Sequence, residues 1–147
     1  MSWGPALDAR HAEHDGGMGG SHAHRSRLAA VLADVPPGLY DEEAIFWAGA
    51  LGVPPTMDPA DPNYASFGEV LPGLQFYVQR VDAAPRIHLD IETDDVDAEV
   101  SRLEALGAVR VRQVETWWVL RDPAGMLFCV VAIQCPEAFA QGATRWE

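Results

Sequence analysis

The sequence predicts an α+β protein built from two βαβββ modules, and three observations carry that expectation. The first is an internal repeat, which reports architecture before any single element does. RLAAVLADV (27–35) returns as RIHLDIETD (86–94), and DEEAIFWAGALGV (41–53) returns as VDAEVSRLEALGAV (96–109) with a shared Ala-Leu-Gly. PGLQFYV (72–78) returns as AGMLFCV (124–130), setting Gly73, Phe76 and Val78 beside Gly125, Phe128 and Val130. The second is periodicity: strand-like alternation gives way to helical spacing at the same place in each copy. The third is composition, since 48% hydrophobic and 22% charged residues over 147 positions are enough to bury one core.

Residues 1–25 stand apart, because HAEHDGGMGGSHAH is rich in Gly and His and carries almost no large apolar side chain. This stretch is expected to be a flexible tail, and Met18 is a second candidate start. His11, His14, His22 and His24 form a cluster that a metal could recruit, although a solvated leader is the simpler reading. Module one is placed at about 26–81, module two at about 85–135, and residues 136–147 are a C-terminal extension.

Within module one, Pro36 and Pro37 precede a helix with Ala44, Trp47, Ala48 and Leu51 on one face, ended by Gly52 and Pro54. In module two, Ile87, Leu89 and Ile91 alternate with His88, Asp90 and Glu92, the period of a half-buried strand. Asp94 or Asp95 caps the next helix, whose apolar stripe is Val96, Val100, Leu103 and Leu106, with Gly107 as its left-handed terminus. VRVRQV and TWWVLRD read as strands, and DPAG (122–125) reads as a turn feeding MLFCVVAI. The acidic runs DEE (41–43) and ETDDVDAE (92–99) read as solvated helix starts favoured by the macrodipole. They lack the central glycine of a Ca²⁺ loop.

A net charge of −12 makes nucleic acid and anionic membranes poor partners. All ten basic residues are Arg, so lysine Schiff-base and P-loop chemistry are excluded. No apolar run reaches the roughly 20 residues that cross a bilayer, and MSWGPALDAR does not read as a signal peptide. Cys129 and Cys135 are too close to staple the fold and read as reduced thiols, so the expected address is the cytoplasm.

HLDIETDDVDAEVSRLEALGAVRV followed by WWVLRDPAGMLFCVV resembles the glyoxalase-like domains of the vicinal oxygen chelate superfamily, closely over 86–131 and more loosely over 27–80. The resemblance implies the glyoxalase/bleomycin-resistance/dioxygenase fold, in which two βαβββ modules form a curved mixed sheet around a ligand cavity. Metal-dependent members draw four ligands from the first and last strand of each module. Those positions fall here on Ala29, Tyr77, His88 and Cys129, of which only His88 is a usual ligand. No cofactor and no four-ligand metal centre are therefore expected, and a divalent metal at His88, with Asp90 or Glu92, is the secondary expectation.

The expected pocket residues are His88, Asp90, Glu92, Tyr77, Trp118 and Cys129, with Gln79 and Arg121 as further polar candidates. A Cys129–His88 pair has the residue types of a thiolate nucleophile, but two core residues are the plainer account. PPTMDPADPNYASFGEV (54–70) is expected to be a variable loop over the cavity mouth. The expected function is binding of a small organic molecule. The alternatives are a metal-dependent lyase, isomerase or dioxygenase around His88, and a drug- or metabolite-sequestering protein. A homodimer is compatible with this scaffold.

Overall fold

The structure, a computed structural model, describes residues 22–147. Module one runs β1 (His24–Val35), a 3-10 turn (Pro37–Leu39), α1 (Tyr40–Leu51), β2 (Thr56–Asp58), β3 (Asp61–Leu71) and β4 (Leu74–Arg80). Module two runs β5 (Arg86–Thr93), α2 (Val96–Ala105), β6 (Val109–Val114), β7 (Trp117–Arg121) and β8 (Leu127–Ala132). A short α3 (Pro136–Gly142) and β9 (Thr144–Trp146) complete the chain. Both modules are thus βαβββ, as the repeat predicts.

All the strands join one mixed sheet in the order β2-β3-β4-β1-β5-β8-β7-β6, with β9 added beside β1. In each module the first strand pairs in parallel with the last, β1 with β4 and β5 with β8. The modules meet where β1 and β5 run antiparallel, with Leu32 opposite His88 and Asp34 opposite Arg86.

The helices α1 and α2 cover one face of this sheet. Under α1, Ala44 and Tyr40 pack with Ala33, Val35, Phe67, Phe76 and Val78. Under α2, Val100 packs with Leu120 and Val130, joined by Val96, Leu103 and Trp118. Asp95 is the N-cap of α2, its carboxylate accepting from the Ala98 amide at 3.0 Å. Gly107, at φ 103°, makes the left-handed exit from α2. Leu106 leaves the expected stripe and is exposed, because the helical turn is already ending there. The DPAG turn closes with Gly125 N–H donating to the Asp122 carbonyl at 2.9 Å.

Three expectations are corrected. β1 begins at His24, so His24 and Arg25 belong to the sheet rather than the tail, because β9 returns to pair with them. His11 and His14 lie outside the described residues. The segment 54–70 is largely a hairpin of β2 and β3 rather than a loop: Pro54 and Pro55 precede β2, Pro59 sits in the turn and Pro62 at the start of β3, and NYASF then alternates, with Ala65 and Phe67 in the core. Glu99, read as a solvated charge, is fully buried, because Arg102, Ser26 and His24 all direct donors at it.

No helix among the described residues is long and apolar enough to cross a membrane.

Candidate functional site

Strand pairing places a set of polar side chains on the face opposite α1 and α2. Successive side chains alternate, and opposed residues share a face. Tyr64 and Ser66 on β3, Tyr77 and Gln79 on β4, Leu32 and Asp34 on β1, His88 and Asp90 on β5 and Cys129 on β8 therefore line one continuous row. A cleft of about 360 Å³ opens on this row. Tyr64, Ser66, Tyr77, Asp90 and Leu32 form its walls, Thr56, Asp58 and Asp61 come from the β2–β3 hairpin, and Gln134 closes one side. The hairpin expected to shape the mouth does contribute to the lining.

The rings of Tyr64 and Tyr77 meet edge to face, with centroids 6.3 Å apart. Tyr64 also accepts a 2.6 Å hydrogen bond from the Gln79 amide nitrogen. Burial, with the nearby carboxylates of Asp61 and Asp90, pushes the Tyr64 phenol far above its ordinary range, so it stays protonated. Burial raises Tyr77 in the same direction.

Deeper in the sheet, His88 is held between carboxylates. Its Nδ1 lies 2.8 Å from Asp34 Oδ2, its Nε2 lies 3.4 Å from Asp90 Oδ1, and Arg86 Nε donates to the same Asp34 oxygen at 3.0 Å. Burial disfavours the imidazolium, but Asp34, Asp90 and Cys129 together outweigh it and push His88 up to about 11. His88 is thus charged near neutral pH. The Cys129 thiol goes the other way for a nucleophile: burial and Asp90 push it up against the pull of His88. A buried thiol so raised is a poor thiolate source, which speaks against the Cys–His nucleophile.

His88, Asp90 and Cys129 each bring one donor atom, and these atoms lie within 4.8 Å of one another. The chemistry of the set suits a divalent ion that accepts nitrogen, oxygen and sulfur, such as Zn²⁺. Asp34 on Nδ1 is the orienting partner that a ligating histidine commonly has. Asp90 Oδ1 is buried with no hydrogen-bond partner, which leaves it available to such an ion.

Of the expected pocket residues, the structure brings His88, Asp90, Cys129 and Tyr77 together and places the other two elsewhere. Glu92 is fully buried and committed to structure: it pairs with Arg27 at 2.8 Å and accepts the amides of Gln134 and Cys135 at 2.7 and 3.0 Å. Trp118 lies on the helix-bearing face against Val100, Leu120 and Val130, and the neighbouring Trp117 occupies the other face with Cys129 and Val131. Adjacent residues in a strand must diverge, and only the register settles which turns inward. Ala29 is buried and has no ligating group. Arg121 is exposed at the end of β7.

Asp34, Tyr64 and Ser66 were not anticipated. The signal for Asp34 was a charge inside an otherwise apolar strand, which needs a partner to be buried. For Tyr64 and Ser66 it was the alternation within 63–67.

The glyoxalase-like domain family matches residues 30–131. No curated protein matches. Among solved structures, the Mn(II)-bound glyoxalase from Novosphingobium aromaticivorans aligns with a TM-score of 0.54 at 23% identity, covering 76% of this chain and 40% of that one. A Legionella pneumophila chain described as NAD-dependent benzaldehyde dehydrogenase gives a TM-score of 0.55 at 16% identity, covering 71% and 98%. A Streptomyces coelicolor methylmalonyl-CoA epimerase in complex with 2-nitronate-propionyl-CoA gives 0.50 at 13%, covering 74% and 98%. At these identities the likeness is one of fold, and the chain spans less than half the length of the glyoxalase. With two βαβββ modules in one sheet and a family match over most of the described residues, the chain belongs to the glyoxalase-like domain family of the vicinal oxygen chelate superfamily.

Proposed function

We propose that this domain binds a small organic molecule in the cleft on the sheet face opposite α1 and α2. The observation that carries this reading is convergence: both modules send polar and aromatic side chains to one recess of about 360 Å³, a size within the range of ligand sites. Tyr64 and Tyr77 supply ring surface, and Ser66 and Gln134 supply hydrogen-bonding groups. Asp90 supplies a carboxylate at the floor, backed by His88. His88 does not line the cleft, so its part is to hold Asp90 in place rather than to meet the ligand. Cytoplasmic residence goes with this reading, since Cys129 and Cys135 are both free thiols.

A thermal-shift screen of a metabolite library tests it. Binders are expected whose shift disappears in Tyr77→Ala while the variant remains folded. A library with no binder, or binders indifferent to Tyr77→Ala, overturns the reading. Recovery of the bound compound unchanged distinguishes sequestration from turnover.

The His88, Asp90 and Cys129 donor group favours a second reading, a metal-dependent lyase, isomerase or dioxygenase. A divalent ion held by these three residues would supply Lewis-acid polarisation of a ligand oxygen. Asp34 would keep Nδ1 protonated and turn Nε2 toward the ion. The thiol distinguishes this donor set from oxygen-rich sites. Calorimetric titration with Zn²⁺ is expected to give one equivalent that is lost in Cys129→Ser and in His88→Gln. Binding unaffected by both substitutions removes this reading.

A further inference from the structure

We infer that the cleft selects a small organic cation, an amine or quaternary ammonium carried on an apolar or aromatic body. The inference rests on the cleft being the ligand site and adds the chemical class of the ligand. Among the described residues, three of the nine that line the cleft are aspartates, Asp58, Asp61 and Asp90, and none is an arginine or histidine. A negatively charged ligand entering this recess would meet like charge, with no basic group among the described wall residues to offset it. Arg86 is turned to Asp34 behind the wall, and His88 is shared between Asp34 at 2.8 Å and Asp90 at 3.4 Å, so its single charge does not offset the three aspartates of the cleft.

The floor adds a second, independent feature. Asp90 is 3% exposed and its Oδ1 accepts no hydrogen bond, with His88 Nε2 at 3.4 Å. The His88 contact is long and makes no hydrogen bond, so an ammonium N–H reaching into the cleft would supply the one this oxygen lacks. The rings of Tyr64 and Tyr77 line the same cleft, and aromatic rings attract a cation and pack its apolar body. Leu32 and the ring pair give an organic cation a contact that a small hydrated metal ion could not use.

The experiment is isothermal titration calorimetry of the full chain with benzylamine, benzyltrimethylammonium, benzyl alcohol and benzoate at low and high salt. Either cation is expected to bind at least about tenfold more tightly than the alcohol, with benzoate weakest. The preference is expected to shrink with added salt and to fall by about tenfold in Asp58→Asn/Asp61→Asn. Both residues lie on the β2–β3 hairpin, and asparagine keeps a side-chain oxygen that can accept the Ala60 amide as Asp58 Oδ1 does, so the variant changes charge at conserved shape. Equal binding of the alcohol, or tighter binding of benzoate, overturns the inference while the small-molecule reading stands. If none of the four probes binds, the inference is overturned. The metabolite screen then decides separately whether the cleft takes any ligand.

Discussion

Asp34 Oδ2 lies 2.8 Å from His88 Nδ1, so one buried carboxylate of module one holds the central histidine of module two. Arg86, also from module two, reaches the same oxygen at 3.0 Å. The contact spans the β1–β5 seam, where the two modules pair directly in the sheet order. Removing one member of a buried ionic group leaves the other uncompensated. Asp34→Asn is therefore expected to lower the unfolding free energy by about 3 kcal/mol in urea denaturation, at unchanged secondary structure. A loss below about 1 kcal/mol would mean that the seam is held by packing alone.

His24 and Glu99 form a second buried pair, 2.8 Å apart, that ties the start of β1 to α2. Burial opposes the charged form of His24, but Glu99 and the His22 carbonyl raise it above its ordinary value of 6.5. That contribution is complete below pH 6.5 and is lost as pH rises through the raised value. Burial also opposes Glu99, but Arg102, His24 and Ser26 hold it below its ordinary 4.5, so its contribution is present above 4.5 and lost as pH falls through the lowered value. The pair thus contributes fully only between 4.5 and 6.5. The difference in urea midpoint between the wild type and His24→Gln is expected to be larger at about pH 5.5 than at about pH 9. An equal difference at both would contradict the pairing.

Glu92 anchors the turn into α3 by accepting the amides of Gln134 and Cys135 while pairing with Arg27. Glu92→Gln keeps the shape and removes the charge, with an expected cost of about 2 kcal/mol. Amide hydrogen exchange is expected to speed up at Gln134 and Cys135 specifically. Unchanged exchange there would show that the anchor lies elsewhere.

Gly52 ends α1 at φ 68°, and a Cβ built on it would touch nothing. Any cost of Gly52→Ala is therefore backbone strain, expected at about 1 kcal/mol. Gly38 has equally open space without the positive φ, so Gly38→Ala is expected to be neutral or stabilising. Equal thermal shifts in the two variants would refute the strain argument.

Much of the fold could be read locally. The Asp95 cap, the Gly52 and Gly107 exits and the DPAG turn each depend on a few neighbouring residues. Two copies of the same succession then imply two copies of the same module. The site was only half legible. His88, Asp90, Tyr77 and Cys129 could be named from alternation and resemblance, whereas Asp34 and Tyr64 reach them only through β1–β5 and β3–β4 pairing.

The sequence by itself determined the α+β class, the two modules and the order of their elements, because these rest on short-range periodicity, capping and turn chemistry. Only the tertiary structure decided which side of each strand turns inward. On β5 the outcome inverts the usual pattern: His88, Asp90 and Glu92 are buried at 4%, 3% and 0%, while Ile87 and Leu89 are 55% and 39% exposed. Alternation states that two faces differ, but not which is covered. That depends on partners distant in the chain, here Asp34 for His88 and Arg27 for Glu92, whose charges make the burial of a polar face tolerable.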